Sequence, residues 1–307
     1  GLLGQFFFER LLTSTGKTIF SMTSQLCGAI TNIILDPILI FGLFGAPKMG
    51  VTGAAVATVI GQCVACIVAG ICNHKFNHEV RLSFRGFRPD LKIIGHIYAV
   101  GIPSIIMQSI SSIMTYCMNL ILVQFTVTAT AVFGVYFKLQ SFFFMPVFGL
   151  NNGITPIIAY NYGARHRKRM LKTVKVSMFI AFCFTFIGFL AFEFIPKTLL
   201  GLFSASEDML TIGIPALRII GIHYLIAWFC IIAGTVFQAL GKAVFSMIVS
   251  IMRQLFVLVP AAYILASIGG LHAVWWSFPI AEIISLIVSV AFLVVINRTI
   301  IQKIPES

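Results

Sequence analysis

A chain of 307 residues that is 59% hydrophobic and 10% charged, with a mean hydropathy of +1.02, stands apart from water-soluble domains, in which about 25% of residues are charged. Its apolar residues run in blocks of 20 or more, well beyond the roughly 4–8 of a buried strand, which excludes an ordinary globular enzyme. The net charge of +12 raises nucleic acid as a partner, but the positions of the cations point elsewhere.

Residues 1–8 (GLLGQFFF) read as the end of an apolar span, and because the first residue is Gly rather than Met the chain is expected to begin inside a longer protein. Stretches reaching the roughly 20 residues of a helical crossing follow at 19–43, 51–73, 93–125, 129–159, 171–196, 211–240, 244–267 and 272–297. The expected fold is therefore an all-α integral membrane protein with eight complete transmembrane helices and a stub. The longest polar connection, 74–92, reads as a linker between two halves, and 301–307 as a short tail.

Of the 21 Lys and Arg, sixteen fall in alternate connections: Arg10 and Lys17, the group from Lys75 to Lys92, the group from Arg165 to Lys175, Lys242, Arg298 and Lys303. The opposite connections hold only Lys48 and Lys197. Basic loops stay on the cytoplasmic side. The linker and the C-terminus are thus expected in the cytoplasm, with the chain crossing the plasma membrane. This placement explains the net charge without nucleic acid, and NYGARHRKR (161–169) reads as a solvated anchor.

Asp36 is the costliest residue in this plan. It lies inside NIILDPILIF (32–41), in a span, where a carboxylate costs about 3 kcal/mol or more. Asn32 precedes it by one turn on the same helical face. An acid so placed binds an ion, carries a proton or pairs with another charge; the plainer alternative is that it caps a break at Pro37. The seven cysteines lie in or at the ends of spans, and Cys63 and Cys66, a CxxC in mid-helix without a second pair, carry no metal or redox reading. The six histidines show no metal-ligand spacing.

The sequence repeats internally. GKTIFSM (16–22) returns as GKAVFSM (241–247), and MGVTGAA (49–55) is matched by GGLHAVW (269–275), each pair at corresponding places in two successive spans. Both copies start from the same side, so they are parallel repeats of the kind that secondary transporters use to build a central site.

Four stretches, GKT…NIILDPILIFG (16–42), GVTGAAVATVIGQ (50–62), FMPVFGLNNGITPIIAYNYGARHRKR (144–169) and FQALGKAVFSMIVSIMRQLFVLVP (237–260), together with GIPSIIMQS (101–109), resemble the multidrug and toxic compound extrusion (MATE) family. The resemblance implies a twelve-helix protein of two six-helix lobes that exports organic cations and other toxic amphiphiles in exchange for sodium ions or protons. It implies that residues 1–73 hold the end of the fourth helix and the fifth and sixth helices of the N-lobe, and that 93–300 form the C-lobe. It also implies that Asn32, Asp36 and Thr58 form the N-lobe cation site. Acids that one subgroup of the family carries in its C-lobe have no counterpart in 93–125 or 211–240.

Asp36 would supply a hard anionic oxygen, and Asn32 and Thr58 neutral ones suited to sodium. Protonation would then compete with sodium and with a cationic drug, which is the logic of an antiporter. Pro37, Pro103, Pro146 and Pro260 are expected to bend long helices. Arg253 and Glu282, in neighbouring spans, read either as a structural ion pair or as part of a substrate cavity. Lys138 either snorkels or lines that cavity. Arg218 is expected inside the bundle or at an interface. Gln108, Asn119 and Gln238 are candidate polar groups of the cavity.

The alternative is a lipid-linked saccharide flippase of the same superfamily, for which Lys138, Arg218 and Arg253 would meet a pyrophosphate; the set Asn32, Asp36 and Thr58 argues against it. No clustered constellation indicates a membrane-embedded enzyme, and no nucleotide-binding motif indicates ATP drive. No cofactor is expected, and no metal beyond a sodium ion at Asp36. The partners expected are small cationic amphiphiles and the bilayer, with the protein acting as a monomer.

Overall fold

The computed structural model describes residues 1–80 and 90–304, apart from the side chains of His96 and Val100. Residues 81–89 of the expected linker, including Arg81, Arg85 and Arg88, and the last three tail residues lie outside the described residues. The helices are α1 (Leu2–Ser14), α2 (Thr18–Phe41), α3 (Val51–Phe76), α4 (Leu91–Val123), α5 (Val127–Gly163), α6 (Arg167–Phe194), α7 (Pro196–Gly201), α8 (Glu207–Gly221), α9 (Tyr224–Ala239), α10 (Ala243–Ile251), α11 (Val259–Val274) and α12 (Ser277–Thr299). Met252–Leu258, between α10 and α11, is π-helical. Among the described residues there is no strand.

Seven helices, counting Ala243–Val274 as one, are long and apolar enough to cross a membrane, and α8 with α9, bent by 52°, makes an eighth if the pair is one span. Side chains such as Ile19, Phe142 and Ile268 stand exposed on these helices, the surface a bilayer covers. Helices satisfy their own backbone hydrogen bonds, so a chain built this way can cross hydrocarbon. The all-α membrane architecture expected from the sequence is thus the one observed.

The helices differ from expectation in three places. α1 runs through Ser14, so Arg10, expected in a loop, lies in a helix together with buried Glu9. The stretch 211–240 is broken at His223, whose Nδ1 lies 2.5 Å from the Ile220 carbonyl that an unbroken helix would use. The stretch 244–267 contains the π-helical run, and Gly270, with φ 65° and ψ −162°, interrupts the helix close to where the span was expected to end. Pro260 explains the run's position: it has no N–H for the carbonyl four residues back, and its ring crowds that turn, which widened winding upstream accommodates.

Two compact units divide the chain, Gly1–Pro89 and Asp90–Ser307. In the first, α1, α2 and α3 pack on one another. Gly53, Ala57, Gly61, Ala65 and Ala69 recur every four residues along α3 and are all buried, a small-residue face that admits a neighbouring backbone. A Cβ added at Gly28 would lie 2.9 Å from the Gly61 carbonyl oxygen, and one at Gly61 would lie 2.8 Å from that of Gly28. In the second unit α5 packs on α4, α6, α8 and α9, and α12 on α9, α11 and the π-helical run. One core cluster gathers Phe133, Tyr136, Phe192, Tyr224, Trp275 and Phe278, and another Val147, Ile158, Met170, Phe237 and Ile296.

The repeat seen in the sequence has a repeated conformation. Gly16 and Gly241 both adopt positive φ, 76° and 72°. The amide after each reaches five residues back, Lys17 to the Leu12 carbonyl and Lys242 to that of Phe237, both at 2.8 Å. This is the hydrogen bond of a left-handed helix ending, which favours glycine. Gly50 and Gly270, from the second pair of motifs, are likewise at positive φ, 57° and 65°.

Candidate functional site

In the first unit the close approach of α2 and α3 brings Thr58 beside Asn32. The Asn32 Nδ2 donates to Asp36 Oδ1 at 3.3 Å and to Thr58 Oγ1 at 3.4 Å. Thr58 Oγ1 itself donates to the Ala54 carbonyl at 2.9 Å, one turn earlier in α3. The i, i+4 spacing on α2 aligns the amide with the carboxylate. Asn32 and Asp36 are half-buried and Thr58 is exposed. Asp36 and Thr58 thus present one anionic and one neutral oxygen, the kind of atom a hard cation accepts, with the Asn32 amide nitrogen bridging them.

A second carboxylate in this unit went unnoticed in the sequence. Glu9 is 4% exposed. It accepts from Gln5 Nε2 (2.8 Å), Ser24 Oγ (3.3 Å) and Gln25 Nε2 (2.9 Å), all neutral donors. Gln5 and Gln25 line a cavity of about 180 Å³ whose wall also includes Asn32, Thr58 and Gln62. The only sequence signal is an acid, followed by Arg10, in the middle of the otherwise apolar FFFERLL.

The second unit contains two adjoining cavities. The larger, about 440 Å³, is lined by Gln108 of α4, Asn151 and Thr155 of α5, Gln238 of α9, Ser250 of α10 and Arg253, among others. Gln238 Nε2 donates to Ser246 Oγ at 3.1 Å on the same wall. The smaller, about 280 Å³, is lined by Tyr136, Phe137 and Phe144 of α5, Phe278 and Glu282 of α12, and Gln254. Phe148, Ile231 and Arg253 line both. The π-helical run thus places two consecutive residues, Arg253 and Gln254, at the cavities. Arg253 Nη1 donates to Glu282 Oε2 at 3.3 Å, with side-chain exposures of 32% and 4%.

Of the residues expected at a substrate cavity, Gln108, Gln238 and Arg253 line the larger one, and Glu282 the smaller. Asn119 and Lys138 line neither. Lys138 is exposed, with its Nζ 5.8 Å from the centre of the Phe203 ring. Arg218, expected in the interior or at an interface, is instead exposed, its Nε donating to the Glu193 carbonyl at 3.2 Å and lying 3.9 Å from Glu193 Oε1. Among the described residues no three His, Cys, Asp or Glu side chains are grouped to hold a metal.

Long apolar helices with polar cavities among them define a multi-pass membrane protein. The MatE family model matches residues 103–264, more than half of the chain, and the chain belongs to that family. It is 29% identical over 282 residues to the multidrug export protein MepA of Staphylococcus haemolyticus. It is 30% identical over 279 residues to MepA of Staphylococcus aureus strain NCTC 8325. In each case the match covers 90% of this chain and 60% of the relative, so the chain spans about 60% of these relatives' length. Among solved structures, an outward-facing multidrug resistance MATE family transporter of the MOP superfamily superposes with a TM-score of 0.86 at 25% identity, over 98% of this chain and 66% of that one. A MOP superfamily transporter from Pyrococcus furiosus, described as having a binding pocket of reverse polarity, superposes with a TM-score of 0.82 at 26% identity, over 94% and 64%. Transport, not enzymatic conversion, is what these relatives are named for.

Proposed function

We propose that this protein takes part in secondary active export of small organic cations and related toxic amphiphiles, driven by the inward movement of sodium ions or protons. The observation that supports this reading is the double donation of Asn32 to Asp36 and Thr58. It holds an intramembrane carboxylate near a hydroxyl oxygen, with a neutral amide and no fixed cationic partner in the set. Such a carboxylate exchanges one monovalent cation for another, and a cation that favours one conformation shifts the population towards it. Residues 1–73 belong in this reading to the N-lobe and 93–300 to the C-lobe, with 74–92 linking them on the cytoplasmic side of the plasma membrane, where the C-terminus also lies. The protein acts as a monomer and needs no cofactor beyond the coupling ion.

The test is efflux of ethidium from cells that lack their own exporters and express this protein, compared with Asp36→Asn, with and without a sodium gradient. Export by the wild type and its loss in the variant support the reading, and the sodium dependence identifies the ion. Equal export by both overturns the role of Asp36. Absence of export by the wild type overturns the reading and favours a flippase, for which a lipid-linked saccharide is then the substrate to assay.

A further inference from the structure

We propose that the paired cavities of the second unit bind aromatic zwitterions, with the anionic group on Arg253 and the positively charged or hydrogen-bond-donating group beside Glu282, Gln254 and Tyr136. This deepens the export reading, and rests on it, by assigning the C-lobe a substrate class that Asp36 alone would not select.

The guanidinium of Arg253 is underused. Its bond to Glu282 is a single one of 3.3 Å, where an arginine can offer a carboxylate two parallel bonds from a planar fork of five N–H donors. Its remaining N–H groups make no hydrogen bond with the described residues, and the side chain, 32% exposed, borders both cavities. In the larger cavity it is the sole charged lining residue among the described residues, surrounded by amides and hydroxyls such as Gln108 and Ser250. A carboxylate entering there can take the spare donors without breaking the pair with Glu282.

The smaller cavity has the opposite character. Gln254 and Tyr136 are 5% and 1% exposed, and Gln254 Oε1 and Tyr136 Oη have no hydrogen-bond partner among the described residues. Buried polar atoms are almost always paired, and Glu282 Oε1 is likewise enclosed without a partner, so three polar atoms of residues lining one cavity are left for a side-chain shift to turn towards a ligand. Glu282 lies on the same wall, as do Phe137, Phe144 and Phe278. A carboxylate, two unmet polar atoms and aromatic faces suit an ammonium or iminium group on an aromatic body.

The charge balance selects the ligand. Arg253 and Glu282 together are neutral. A lone cation would meet Arg253, and a lone anion would meet Glu282 close behind it. A ligand with both charges, separated, is complementary to the pair. At about 440 and 280 Å³ the cavities fall near the roughly 300–1,000 Å³ typical of drug-sized sites.

The test uses rhodamine B, a zwitterion at neutral pH, and its ethyl ester, the same fluorophore without the carboxylate. Fluorescence polarisation measures the binding of each to the purified full chain in detergent. The expected result is about tenfold tighter binding of rhodamine B, the scale of one hydrogen bond to a charged group. Arg253→Lys retains part of that preference and Arg253→Gln abolishes it. If Arg253→Gln fails to fold, the double variant Arg253→Gln/Glu282→Gln, which leaves no unpaired charge, gives the same reading. Equal binding of the two dyes by the wild type, or a preference that survives both Gln variants, overturns the inference and leaves the export reading intact. Binding of neither dye overturns the inference as well, and ethidium efflux then decides the export reading separately.

Discussion

Gly28 and Gly61 face each other so closely that neither can carry a side chain: an added Cβ would come within 2.9 and 2.8 Å of the opposing carbonyl oxygen. Asn32 lies one turn beyond Gly28 on α2, and a Cβ on Gly61 would also come within 3.2 Å of the Asn32 Cβ. The hydrogen bond from Asn32 to Thr58 is possible because this crossing is bare.

Gly61→Ala is therefore expected to destabilise the protein by about 1–3 kcal/mol through overpacking, and to separate Asn32 from Thr58. Thermal unfolding in detergent reads the first effect. The second is read by ethidium efflux, which should fall further in Gly61→Ala than in Thr58→Ala, since only the former moves Asn32 and Asp36 away from α3 as well. A Gly61→Ala protein as stable and active as the wild type would show that the helices can part without cost.

Arg253 and Glu282 should respond unequally to loss of the partner. Arg253→Gln leaves a carboxylate that is almost fully enclosed, with a cost of about 3–5 kcal/mol. Glu282→Gln leaves a guanidinium with 32% of its side chain exposed, bordering two cavities, where water can reach it; a loss below about 1 kcal/mol is expected. Thermal unfolding of the two single variants and the double variant checks this. The double variant should recover most of what Arg253→Gln loses, and equal losses from the two single variants would contradict the asymmetry.

Glu9 ties α1 to α2 through Ser24 and Gln25, and accepts from Gln5 within α1. Glu9→Leu removes the acceptor; Gln25 is exposed and Gln5 half-buried, and buried Ser24 keeps its bond to the Ser21 carbonyl, so a loss of about 1 kcal/mol is expected. Glu9→Gln keeps a carbonyl oxygen and should cost less. Limited proteolysis between α1 and α2, faster in Glu9→Leu than in Glu9→Gln, is the expected order; no difference would mean that the donors find other partners.

The sequence reveals most plainly what hydrocarbon and chain geometry enforce. Each span has to be apolar along its length, and Gly16 and Gly241 are fixed by a backbone conformation that other residues avoid, so spans and repeat could be read from residue order alone. The set Asn32, Asp36 and Thr58 was accessible because two of its members share a helical face and a family resemblance supplied the third. Glu9 escaped because the apolar run before it is short, which makes an acid at its end look like the start of a loop. Lys138 and Arg253 look alike in the sequence, as single cations in apolar surroundings. Only the direction each side chain takes separates the exposed one from the one bordering two cavities, and the π-helical winding that sets this direction for Arg253 leaves no mark in the hydrophobic pattern.

That winding has a consequence for insertions and deletions. A run closed by bonds from each residue to the fifth before it holds a surplus residue relative to ordinary α-helix. Removing one residue between Met252 and Leu258 should therefore let the run rewind as α-helix while Ala243–Ile251 and Val259–Val274 keep their places. Arg253 and Gln254 would then point elsewhere, so a shortened protein that unfolds at the wild-type temperature yet no longer distinguishes rhodamine B from its ester is the expected outcome. The chemistry of this wall would then depend on how many residues the span contains as well as on which ones they are.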